Sequence, residues 1–288
     1  MGYHPNPQAR SLTSGRTQSI ALLIPDVTNP YFFGLIRGTQ SQARAHGHRL
    51  LLVDTEESAE VEAAVVAELR NSVDGIVAAA SRRSDEQLLE VKKGIPMVVI
   101  NREIPGVPSV VIDTAMGVVQ AVEHLASLGH TKIAYLAGPI SSWSNRTRWR
   151  ALSRAAKRLN IDCIQIGPFS PTMEAGAAAA DAAVHQGVTA CIFFNDLLAI
   201  GALGRFAERG IQIPTGMSVV GCDDIFGADF CHPPLTTITA PIEQAGRVAI
   251  DMLLSSLSTN GLDVAPTRSR EILSTHLTIR ESTGPRES

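Results

Sequence analysis

Short apolar runs alternate with longer stretches of helical period along most of this chain, and that alternation constrains the fold more than any other feature. The runs fall at 20–24, 49–53, 75–79, 96–100, 109–112, 132–136, 190–194 and 217–220. Several are apolar at every position, which suits strands covered by helices on both faces rather than strands with one wet face. Between them, 29–46 places Phe32, Ile36, Thr39 and Ala43 on one helical face, and 114–128 does the same with Val118, Val122, Leu125 and Ala126. The alanine-rich 175–183 is simply a good helix former. Repetition of strand and helix implies parallel sheet with helical crossovers. Strands this numerous in 288 residues are too many for one open twisted sheet, so two doubly wound α/β subdomains are expected. A closed eight-stranded barrel is the competing architecture.

Composition closes several other routes. Hydrophobic residues are 44% and charged residues 18%, enough apolar material for a core and too little charge for a disordered chain. With 25 Lys+Arg against 28 Asp+Glu the net charge is −3, so any nucleic-acid contact has to be local. No run approaches the roughly 20 apolar residues that span a bilayer, and 1–10 lack the apolar stretch of a secretory signal, which gives a cytoplasmic expectation with no membrane partner. Cys163, Cys191, Cys222 and Cys231 are far apart with no C-x-x-C pair, as reduced thiols would be. The eight histidines are scattered. Metalloprotease, esterase, P-loop and dinucleotide-binding signatures are missing, so no catalytic residue, metal or cofactor is expected.

In open α/β sheets ligands bind beyond the carboxyl ends of the strands. Polar residues collect there: Asp26, Asp54, Asn101 with Arg102, Asp113, Asn195 with Asp196, and Asp223 with Asp224. Asp54, Asp113 and Asp196 read as helix N-caps. The Asp223–Asp224 pair offers one carboxylate for a turn and another for a ligand hydroxyl or amine. Arg146 and Arg148 are expected in the first turn of a helix, where the dipole disfavours cations, and a polar ligand explains them better than a solvated face.

Five motifs follow one another along the chain: Asp26-Val27-Thr28-Asn29-Pro30-Tyr31-Phe32-Phe33, Leu128-Gly129-His130 with Ile133 to Pro139, Asn195-Asp196, Val219 to Asp224, and Pro233 to Ile238. In that order they resemble the LacI/GalR family of bacterial transcriptional repressors, and the resemblance runs from Tyr3 to about Ser282. This resemblance implies the periplasmic-binding-protein type I fold: two parallel-sheet subdomains joined by three crossovers, the effector in the cleft. The expected parts are 17–128 with 240–267, and 129–239 with 268–282, the last strand lying near 272–279. Carried over by motif, Tyr31 and Phe32 pack on the effector from the first subdomain. Arg148 hydrogen-bonds it from the second, Asn195 and Asp223 complete the polar set, and Arg146 is a further candidate. Cys222 stands where many relatives have an aromatic, so a stacking surface is missing and the effector is a sugar or another small polar metabolite.

Residues 3–16 resemble the family hinge, in which Asn6, Ala9, Arg10 and Leu12 meet DNA and the leucine wedges into the minor groove. Only Met1 and Gly2 precede it, so the sequence is either a fragment or a core-only relative. The implied function is a ligand-responsive repressor acting as a homodimer, with operator DNA bound by the full-length form and weakly or not at all by these residues. A solute-binding protein serving a transporter is the alternative, and an enzyme comes third.

Overall fold

The computed structural model describes residues 17–258 and 269–286, so the hinge candidates Asn6, Ala9, Arg10 and Leu12 lie outside the described residues. The chain divides into two compact units. The first takes the residues up to Thr28, Phe32–Val111 and Ile242–Ile272; the second takes Asn29–Tyr31, Ile112–Pro241 and the residues from Leu273 on.

In the first unit, β1 (Ser19–Ile24), β2 (Arg49–Asp54), β3 (Gly75–Ala79), β4 (Met97–Ile100) and β5 (Ser109–Asp113) join Arg270–Ser274 in one six-stranded sheet. β1 lies between β2 and β3, in parallel with both. Every residue of β3 and β4 is buried, whereas the edge strand β2 leaves Leu51 and Leu52 exposed. The helices are α1 (Tyr31–Ala45), α2 (Ala59–Leu69), α3 (Asp85–Gly94) and, from the return of the chain, Ile242–Ser258. Local chemistry starts them: the Asn29 carboxamide oxygen accepts from Tyr31 N, Ser58 caps α2, and Ser84 with Gln87 forms a capping box on α3.

The second unit repeats the plan. Its helices are α4 (Thr114–Ser127), α5 (Trp143–Arg158), α6 (Gly176–His185) and α7 (Asp196–Glu208). Its strands are β6 (Lys132–Leu136), β7 (Asp162–Ile166), β8 (Ala190–Phe193), β9 (Ser218–Asp223) and β10 (Thr236–Thr239), with His276–Thr278 as a sixth. In chain order the return helix Ile242–Ser258 is α8, Arg270–Ser274 is β11 and His276–Thr278 is β12. The sheet order is β12-β10-β9-β8-β6-β7, parallel but for the antiparallel β10–β12 pair. Two open sheets replace the barrel alternative.

Three expectations need correction. The helix at 114–127 belongs to the second unit, so the boundary lies at Val111–Ile112 and not after residue 128. The cause is packing: Val118, Ala121, Val122 and Leu125 share one core cluster with Ile133, Tyr135 and Ile238. The return segment likewise runs 242–272 in the first unit, not 240–267. Finally, the single strand expected near 272–279 is two, β11 in one sheet and β12 in the other. Thr275 between them is pinned, its hydroxyl donating to Asp113 O and accepting from Gly117 N.

Candidate functional site

Polar side chains of the second unit gather where β8, β9 and α5 meet. Ser142 starts α5, its hydroxyl accepting from Asn145 N. Trp143 is the first helical residue, so Arg148 lies in the second turn and the dipole argument for it lapses. Burial singles it out instead, at 4% exposure. Arg148 Nη1 donates to the Phe194 carbonyl and Nη2 to Asp223 Oδ1 at 3.3 Å. Its guanidinium carbon stands 5.1 Å from the centre of the Phe194 ring, a cation–π arrangement. Arg148 Nε is buried and has no hydrogen-bond partner among the described residues.

Asp223 ends β9 in a backbone conformation, φ 122°, that L-residues seldom adopt. Burial pushes its carboxyl up to about 7, with Arg148 pulling the other way. Its neighbour Asp224 faces elsewhere, accepting from Arg280 Nη2 at 2.7 Å and from the Thr239 hydroxyl at 2.9 Å. One acid therefore faces the buried arginine and the next joins Arg280 to Thr239 of β10.

Asn195, not Asp196, caps α7. Its Oδ1 accepts from Leu198 N at 3.0 Å and its Nδ2 donates to Pro171 O at 2.9 Å, so the groups assigned to a ligand serve the protein's own backbone. Asp196 is fully buried and ties three segments: Oδ1 accepts from the Thr237 hydroxyl at 2.6 Å and Oδ2 from Ile225 N at 2.9 Å. Burial moves its carboxyl up to about 6. Two glycines make room here. A Cβ at Gly221 would collide with Asp196 Oδ1, and one at Gly138 with the Phe194 ring.

Other candidates separate. Arg146 is exposed and donates to the Ile140 and Ser141 carbonyls, away from Arg148. Tyr31 and Phe32 open α1 and are 7% and 5% exposed. Asp113 caps α4 as expected, accepting from Ala115 N. Asp54 instead closes a turn, accepting from Val27 N and Glu56 N. Sequence reasoning missed Tyr135 and Asn145. The Tyr135 hydroxyl donates to Asn145 Oδ1 at 2.9 Å, which also accepts from Gly138 N, and the Tyr135 ring stacks on Trp149. The signal was present: Asn145 stands three residues after the Ser142 cap. Among the described residues no three His, Cys, Asp or Glu side chains converge as metal ligands, and no helix is long and apolar enough to cross a membrane.

Residues 122–283 match the model of a periplasmic binding protein-like domain. The chain is 32% identical to the HTH-type transcriptional regulator DegA of Bacillus subtilis (strain 168), covering 99% of this chain and 86% of that protein. It is 31% identical to the HTH-type transcriptional repressor CytR of Escherichia coli (strain K12), covering 89% of this chain and 78% of that protein. A LacI family transcriptional regulator from Enterococcus faecium, solved with bound ribose, superposes with a TM-score of 0.82 at 27% identity, covering 93% of this chain and 100% of the other.

Proposed function

Since this chain belongs to the LacI family of transcriptional regulators, we propose that it is the small-molecule-sensing core of a repressor that releases or engages its operator when a polar effector binds. The observation that carries the reading is the Arg148–Asp223 pair: a buried guanidinium whose Nε has no hydrogen-bond partner among the described residues, beside a carboxyl group raised to about 7. Arg148 Nε donates to an effector oxygen, and Asp223 accepts from a hydroxyl or amine. A neutral polyhydroxylated molecule fits this donor and acceptor set, and the ribose of the Enterococcus faecium relative supports a sugar-type effector. Tyr31, which belongs to the second unit, supplies apolar contact, in keeping with a Cys222 position that has no aromatic face. Asn195 positions the set by capping α7, and Arg146 stands outside it.

The reading extends to a homodimer, because pairing two helix-turn-helix heads on a near-palindromic operator needs two-fold symmetry. It places the protein in the cytoplasm and gives it no catalytic step. Calorimetric titration with a panel of pentoses, hexoses and disaccharides tests it. One of these should bind, and Asp223→Ala should weaken that binding about tenfold or more, as expected for a lost hydrogen bond to a charged group. Unchanged affinity in a folded variant, or turnover of the bound sugar, would reject the assignment.

A further inference from the structure

The first unit carries a groove of about 250 Å³ between α2 and α3, remote in sequence from Arg148 and Asp223. Its floor is apolar, built by Ala63, Val66, Val91 and Ile95. Two arginines line it, Arg70 from the end of α2 and Arg83 from the turn before α3.

These guanidinium groups differ from their neighbours. Arg82 is paired with Glu57, Arg102 with Asp85 and Arg247 with Glu243. Arg83 Nε is buried with no hydrogen-bond partner among the described residues. Two acids lie within the field of these cations without a direct ion pair to them: Glu62, which accepts from the Ser81 hydroxyl, feels Arg83, and Glu90 at the rim, paired with Lys93 at 2.7 Å, feels Arg70. Arg70 is held over Gly94 at the end of α3, where any Cβ would collide with its guanidinium. Gly94 thus leaves room for that cation at the end of α3, and Arg70 lines the groove with its apolar floor.

We propose that this groove is a second ligand site, taking a small monocarboxylate with an apolar body, such as an aryl or short acyl carboxylate. The planar forks of Arg70 and Arg83 match a carboxylate, and one ligand oxygen gives Arg83 Nε its missing acceptor. Burying the donor unmade costs free energy that the bound anion recovers. The apolar floor selects the body of the ligand, and the Glu90 carboxylate at the rim selects against a second negative charge.

Benzoate and hexanoate are the probes, with benzamide as the uncharged control, titrated into the whole 288-residue chain and followed by amide chemical shifts. At least one carboxylate should give saturable shifts confined to α2 and α3, with benzamide about tenfold weaker or more. Arg83→Gln should weaken the carboxylate by a similar factor. Ala63→Leu, which fills the floor, should abolish the shifts, while Asp223→Ala leaves them unchanged. Arg70→Gln alters an exposed residue and keeps the test open should Arg83→Gln fail to fold. Absence of saturable shifts with both carboxylates, equal binding of benzamide, or indifference to the arginine variants would overturn the proposal.

Discussion

At the scale of single residues, burial decides the chemistry of the site more than charge pairing does. Asp223 has Arg148 beside it, yet its carboxyl is raised to about 7 because desolvation outweighs that attraction. The consequence for stability has a definite sign. A carboxyl raised in the folded state binds its proton more tightly there than in the unfolded chain, where it titrates near 4. Its contribution is therefore full below about pH 4 and is lost as pH rises through about 7. His124 and His130 act oppositely, burial holding both below the ordinary histidine value. Comparing wild type with Asp223→Asn cancels them. Urea unfolding from pH 5 to 8 should show the variant gaining on wild type as pH rises, by at most about 1.4 kcal/mol per pH unit. Parallel pH profiles would mean that Asp223 is ionised throughout.

At the scale of elements, the site rests on how closely β9 approaches the start of α7. Gly221 in β9 lies against the Asp196 carboxylate, which holds Thr237 of β10 and the amide of Ile225. Gly221→Ala should cost about 1–3 kcal/mol in urea unfolding, as overpacking does, and a loss below about 0.5 kcal/mol would show that the strand shifts freely. The elements most legible in the sequence are the ones buried on both sides: β1, β3, β4, β6 and β8 read as apolar runs. β7 and β10 escape that reading for physical reasons. β7 is a partly exposed edge strand whose residues include Asp162 and Gln165, and β10 is mostly threonine, whose hydroxyls are satisfied by Asp196, Thr283 and Thr278.

At the scale of the whole molecule, the chain is shared between its units so that neither is a continuous piece. The last described segment supplies β11 to one sheet and β12 to the other. It then returns to the second unit, where Val219 N donates to Ser282 O and Gly284 accepts from buried His130 Nε2 or Ser218 Oγ. Truncation after Ser269 should accordingly loosen both units. Hydrogen exchange should show lost protection in β5 and β10 alike, and loss confined to one would contradict the shared closure.

Alternation of buried strands and amphipathic helices pointed to the α/β class and a two-sheet plan, and the polar residues after the strands put Asp223 among the candidates, whereas Arg148 was chosen over Arg146 only by the family resemblance. Local period and the place where a strand ends are properties that a sequence carries directly. The assignment of α4, the splitting of the last strand and the roles of Asn195 and Asp196 were decided only by tertiary structure. Each depends on which partner lies across a contact: Ile238 beneath Val118, Thr275 clamped by Asp113, and the Pro171 carbonyl waiting for Asn195. Cap, ligand contact and buried strut use the same carboxamide and carboxylate groups, and only the neighbours brought up by folding distinguish them.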